Sequence, residues 1–135
     1  MRAADLLVRC LENEGVTLVF GVPGEETLSL LDALADSSIT FIPTRHEQGA
    51  ALMADVYGRI TGRSGVCLAT LGPGATNLVT GVADAFLDHA PLVAITGQTD
   101  LAAIHKEAHQ YIDTPELFRS ITKWQARVSD PEVVP

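Results

Sequence analysis

The chain has 135 residues, a length that favours one domain with a single core of modest size. A hydrophobic fraction of 47% and a mean hydropathy of +0.21 exclude a disordered or fibrous chain, and with only 5% aromatics the core must be built from Ala, Val, Leu and Ile, as in a parallel sheet covered by helices. The net charge of -8 excludes a basic nucleic-acid-binding face; the acidic residues are spread along the chain and serve solubility.

Ala3, Leu6, Leu7, Cys10 and Leu11 recur at helical spacing, and Gly15 ends this first helix. The same stretch carries Asp5, Arg9 and Glu12 and is therefore no signal peptide. "VTLVF" (16–20) predicts a short buried strand, closed by "GVPG". A helix is predicted from about Glu26 to Ala35 on Leu28, Leu31 and Leu34, and "ITFIP" (39–43) is the next strand, stopped by Pro43. "TRHEQGAALMADVYGRITG" (44–62) predicts a helix from about His46 to Ile60. "GVCLAT" (65–70) is an unbroken apolar strand, after which "LGPGATN" turns into a helix bearing Leu78, Val79, Val82, Ala83 and Phe86. "PLVAIT" (91–96) is the fourth strand. The polar "GQTDLAAIHKEAHQYID" carries no clear period. "TPELFRSI" (114–121) reads as a short helix with Thr114 as cap and Pro115 in the first helical position, and "KWQARV" (123–128) alternates like an outer strand. "SDPEVVP" begins as a helix begins, and its interruption at residue 135 reads as a cut at a domain boundary of a longer protein. Cys10 falls on the apolar helix face and Cys67 inside a strand, so both read as small buried hydrophobes rather than a disulfide or metal pair; a reducing cytoplasm is the expected setting. No apolar run reaches membrane-spanning length, so no membrane partner is expected.

Strands apolar on both faces, alternating with helices, predict an α/β three-layer sandwich with a mostly parallel sheet. In such a sheet ligands collect beyond the carboxyl ends of the strands. The residues there are Gly21-Val22-Pro23-Gly24-Glu25-Glu26, Thr44-Arg45-His46-Glu47, Leu71-Gly72-Pro73-Gly74-Ala75-Thr76-Asn77 and Gly97-Gln98-Thr99. Any one such loop is explained by turn chemistry. Four on one edge point to a binding rim.

"GPGATN" meets only two positions of the G-x-G-x-x-G fingerprint, since Asn77 replaces the third glycine and Pro73 removes an amide hydrogen; no G-K-[ST] occurs either. Pro73 and Gly74 instead allow a rigid, close backbone approach to a flat ligand, which Asn77 could cap or reach. His105 and His109 in "HKEAH" lack the glutamate that a zinc-protease helix places after its first histidine, so a solvated face is the better reading and no metal site is assigned. Glu47 opens the third helix among Gly49, Ala50, Ala51, Ala54 and Gly58. One reading is complementarity to the helix dipole, worth about 0.3–1 kcal/mol. The other is a carboxylate withdrawn from water that shares a proton with a ring nitrogen. The residues alone leave both open.

"VFGVPGEETLSLLDAL", "TRHEQGAALMADVYGRITG", "LATLGPGATNLVTGVADAFLDHAPLVAITGQ" and "HQYIDTPELFRSITKW" occur in that order over nearly the whole chain. Together they resemble the N-terminal pyrimidine-binding domain of thiamine-diphosphate enzymes, in the acetolactate (acetohydroxyacid) synthase branch. The resemblance implies a flavodoxin-like thiamine-diphosphate-binding fold. It further implies a glutamate hydrogen-bonded to N1′ of the cofactor's aminopyrimidine, which prepares removal of the thiazolium C2 proton. Decarboxylation of one 2-keto acid and attack on a second then yield an acetohydroxy acid, on a route to branched-chain amino acids. Glu47 matches that glutamate. Val22, Pro23 and Gly24 match the loop touching the cofactor, with Glu25 at its mouth; Pro73 and Asn77 match contacts of the third loop, and Gln110 matches a glutamine near the reacting centre.

"GEE" stands where biosynthetic synthases commonly have G-G-A, and His109 where a phenylalanine is usual; both put the substrate in doubt. A related 2-keto acid decarboxylase or aldehyde carboligase is therefore the alternative, with a non-catalytic flavodoxin-like binding module or a degenerate structural copy further off. The family's diphosphate and Mg²⁺ site, a G-D-G…N stretch, has no counterpart here. The resemblance thus implies a partner subunit that completes the site in a homodimer or tetramer, with the helix bearing Gly49, Ala50 and Ala54 expected at that contact, and an isolated domain that binds cofactor weakly without turnover. FAD, structural in many of these synthases, would sit mainly in a middle domain absent from this chain.

Overall fold

The computed structural model describes residues 2–104 and 106–134. Its sheet has four strands: β1 (Leu18–Gly21), β2 (Thr40–Pro43), β3 (Gly65–Ala69) and β4 (Leu92–Thr96). They lie in the order β2-β1-β3-β4, and every pairing is parallel. Val19 stands beside Phe41 and Val66, and Cys67 beside Phe20 and Ala94. This is the doubly wound order in which the chain steps one way from β1 and then reverses across it.

Alternate side chains of each strand face opposite sides, and both sides are covered. Val19, Val66 and Leu68 meet Val8 of α1 (Ala3–Asn13) and Ala33 and Leu34 of α2 (Leu28–Ala35). Phe20, Cys67 and Ala69 meet the other layer, made of α3 (Glu47–Thr61), α4 (Pro73–Asn77), α5 (Val79–Leu87) and Phe118 of α6 (Thr114–Phe118). Burying Leu78 and Val82 there contributes about 1.5–3 kcal/mol each. Burial pushes the Cys67 thiol up to about 12, so it stays a neutral hydrophobe; both cysteines are free.

The small residues of α3 face inward. Ala50, Ala51 and Ala54 are fully buried, and a Cβ on Gly81 of α5 would stand 2.5 Å from that of Ala51. Helices this close need side chains no larger than a methyl group on both sides. Ala50, Ala51 and Ala54 are thus packed within the domain, whereas a Cβ on Gly49 would meet nothing within 4 Å. The opposite face leaves Met53, Val56 and Ile60 exposed, Ile60 at 79%. The last turns of α3 are fastened electrostatically. Arg59 donates to both oxygens of Asp55, at 2.9 and 2.7 Å, to Asp84 at 2.8 Å, and also to Asp88. Asp55 is only 1% exposed, and its bond is the chief reason the guanidinium is held above its ordinary value.

Three local readings are corrected. Residues 123–128 form no strand: Trp124 and Val128 stay exposed, and Arg127 turns back to Asp113 at 3.3 Å. Alternation reports which side chains share a face, but a strand also needs a neighbour's free edge. Asp113, not Thr114, caps α6, accepting from the Glu116 amide at 3.3 Å. The start at residues 130–133 is a single 3₁₀ turn with Asp130 as cap. Among the described residues of the polar stretch after β4 only Leu101–Ala103 is regular, again as a 3₁₀ turn; His105 lies outside the described residues, and His109 is exposed in a turn rather than on a helix.

Candidate functional site

β1 and β3 are neighbours, yet the chain leaves β1 toward α2 on one face and β3 toward α4 and α5 on the other. In doubly wound sheets such a divergence marks the crevice at the carboxyl ends of the strands where ligands bind. The Thr44 amide, just after β2, bonds the Gly21 carbonyl at 2.7 Å and so draws the entrance of α3 to the same edge. His46 caps α3, its Nδ1 accepting from the Gln48 amide at 3.1 Å. Glu47 is therefore the first residue of the helix, and it is held inward at 9% exposure.

Asn77, at the end of α4, donates from Nδ2 to Glu47 Oε2 at 2.9 Å. Among the described residues no cation pairs with Glu47 and no group bonds its other oxygen, Oε1. That oxygen looks toward Gly74, where a Cβ would lie 3.4 Å from it. Glu47 Oε1 is not among the buried atoms left without a partner, so it keeps access to solvent and can take a donor that arrives from outside. The dipole of α3 accounts for an acid at this position but not for its burial.

The other predicted residues divide between those the structure brings to this crevice and those it leaves outside. The Val22 amide bonds the Leu68 carbonyl at 3.3 Å, which holds the loop after β1 against β3. Gly24 lies so close to Thr70 that a Cβ would collide with the threonine side chain. Pro73 opens α4 with an exposed ring. Gln110 comes in from the segment after β4: its backbone packs on Gly72, its φ is 54° in the left-handed region, and its side chain is exposed. A non-glycine residue there carries strain of about 1–3 kcal/mol. Glu25 is exposed, and among the described residues its side chain makes no hydrogen bond.

Of the paired glutamates, Glu26 is the one whose side chain is held at the rim, from an exposed position. Its Oε2 accepts from the Thr70 hydroxyl at 2.6 Å. That bond first, then its own backbone amide and the charge of His109, hold its carboxyl below the usual carboxylate range. Thr27 sets this orientation: its hydroxyl bonds both the amide and the carbonyl of Gly24, at 3.2 and 2.9 Å, and winds Glu25–Thr27 into a 3₁₀ turn. Sequence reasoning chose Glu25 over Glu26 and missed Thr70. The paired glutamates were the available signal, but which one is held at the rim depends on the turn.

A family model described as "Thiamine pyrophosphate enzyme, N-terminal TPP binding domain" matches residues 1–117. The chain belongs to this family. Along its whole length this TPP-binding domain is 47% identical, over 135 residues, to the "Probable acetolactate synthase large subunit" of Methanocaldococcus jannaschii, of which the match covers 23%. It is also 47% identical, over 135 residues, to the "Acetolactate synthase isozyme 2 large subunit" of Escherichia coli, covering 25% of that protein. The "Acetolactate synthase" of Bacillus subtilis is 46% identical over 134 residues, 99% of this chain and 24% of its own length. The TPP-binding domain thus spans about a quarter of these relatives. Among its described residues no helix is long and apolar enough to cross a membrane.

Proposed function

We propose that this chain is the pyrimidine-binding, cofactor-activating domain of a longer thiamine-diphosphate-dependent carboligase, of the acetolactate synthase kind, that converts two pyruvate molecules to acetolactate and CO₂. Family membership and the names of the relatives support the class. The observation that carries the assignment is Glu47: buried at the carboxyl rim, held by Asn77 through one oxygen, with the other left for a donor. That set suits an aminopyrimidine ring nitrogen, and Gly74 leaves room beside it.

Thiamine diphosphate, when bound, supplies the electron sink that decarboxylation beside a carbonyl requires. The chain's own part is proton handling and positioning. Glu47 Oε1 holds the proton at N1′ of the ring, and Asn77 fixes its rotamer. Val22, Pro23, Gly24 and Pro73 form the close walls, Gln110 orients the substrate, and Glu25 stands at the mouth. We assign Mg²⁺ with the diphosphate, and FAD where one is used, to segments outside this chain. A second subunit completes the site in a dimer or tetramer. The exposed strip of Met53, Val56 and Ile60 on the helix that bears Glu47 supports such a covering chain. A cytoplasmic setting is in keeping with the two free cysteines.

The test is the full-length protein carrying this domain, with thiamine diphosphate, Mg²⁺ and a panel of 2-keto acids. Acetolactate from pyruvate supports the assignment. Aldehyde as the main product would favour the related decarboxylase. In Glu47→Gln, exchange of the cofactor's C2 proton is expected to slow by about 10²–10⁴-fold while the protein stays folded. Exchange at the parental rate would remove Glu47 from the proposed role.

A further inference from the structure

The loops after β1 and β3 diverge, so something must hold them at a fixed separation. Two contacts on Thr70 do so. Gly24 rests directly on its side chain, and the Glu26 carboxylate accepts its hydroxyl proton at 2.6 Å. Thr70 also abuts the turn that carries the α4 residues: a Cβ on Gly74 would stand 2.7 Å from Thr70 Cγ2 and 3.4 Å from Glu47 Oε1. On its other side Glu26 is backed by the segment after β4, where a Cβ on Gly97 would lie 3.1 Å from that of Glu26. Glu26 thus bridges the ends of three strands from an exposed position at the rim, and Thr70 lies between it and Gly74.

We infer that Glu26 is a positioning residue: by bonding Thr70 it clamps the Val22–Gly24 loop onto the Pro73–Asn77 turn and sets the width of the crevice beside Glu47. Glu26 acts on the ring only through these walls. The bond is charge-assisted, because the carboxyl is ionised at neutral pH. Consequences for cofactor binding rest on the function proposed above; the clamp itself does not.

The experiment therefore has two readouts on the full-length protein and its Glu26→Ala, Thr70→Val, Thr70→Ser and Glu26→Ala/Thr70→Val variants. The first is amide hydrogen exchange without cofactor. Exchange across residues 21–27 is expected to accelerate in Glu26→Ala and Thr70→Val, remain near parental in Thr70→Ser, and show no further gain in the double variant. The second is thiamine-diphosphate affinity in Mg²⁺. It is expected to weaken roughly three- to tenfold in either disruptive variant and no more in the double, with a smaller effect on kcat at saturating cofactor. Parental exchange in Glu26→Ala, or a Thr70→Ser variant as defective as Thr70→Val, would overturn the clamp. A clamp seen by exchange in a protein that binds no thiamine diphosphate would refute the proposed function and leave the clamp standing.

Discussion

Replacing Arg59 with methionine removes the guanidinium from a carboxylate that has nowhere to go. Asp55 is 1% exposed and receives two bonds from Arg59, so the variant leaves a buried charge uncompensated. Breaking such a pair from one side costs about 3–5 kcal/mol. The Arg59 side chain is itself 35% exposed, so water can approach Asp55 once it is gone; the lower end, about 3 kcal/mol, is the expected loss. Asp84 and Asp88, both exposed, lose the same cation and add a few tenths of a kcal/mol of like-charge repulsion. For a domain of this size the total lowers Tm by about 10 °C. Thermal and urea unfolding of parent and variant measure it. The double variant Asp55→Leu/Arg59→Met, which replaces the pair by apolar groups, is expected to recover much of the loss. An Arg59→Met protein within about 1 kcal/mol of the parent would show that the Asp55–Arg59 pair does not hold the last turns of α3 and would refute the reasoning.

Gly81→Ala drives a methyl group into the α3–α5 contact, 2.5 Å from Ala51 Cβ, and is expected to destabilise by about 1–3 kcal/mol in urea titrations. Asn77→Ala leaves Glu47 without its only side-chain hydrogen bond among the described residues; C2 proton exchange is expected to slow less than in Glu47→Gln, which isotope exchange in the loaded full-length protein measures. Glu26 is held below its ordinary 4.5, so its bond to Thr70 stabilises the fold fully above that value and loses its effect as pH falls through the lower folded value. Melting between roughly pH 5 and 3 is therefore expected to be shallower in Thr70→Val than in the parent. Ile60→Lys, at a position 79% exposed, should change stability by no more than about 0.5 kcal/mol yet reduce the dimer fraction in sedimentation, if a second chain covers this strip.

Much of the fold was legible because the relevant signals are short-range. Apolar runs such as "GVCLA" are buried on both faces in the structure, and the helices of 3–13 and 47–61 follow their periodicity within a residue or two. The edges misled where a local pattern needed a distant partner. "KWQARV" alternates, but among the described residues no strand edge receives it. The small residues of α3 announced close packing without saying against what; Gly81 and the strands supply the answer.

The sequence by itself determined the α/β class, the rim of glycine-bearing turns and the motifs that mark the family, because period, turn chemistry and residue order are properties of a chain read along its length. Only the tertiary structure decided that Asn77 occupies one oxygen of Glu47 and leaves the other, and that Glu26 rather than Glu25 is held at the rim, with Thr70 as its partner. Thirty residues separate the first pair and forty-four the second. A hydrogen bond depends on distances of a few tenths of an ångström, set by strand register and by one 3₁₀ turn, and no spacing along the chain encodes them.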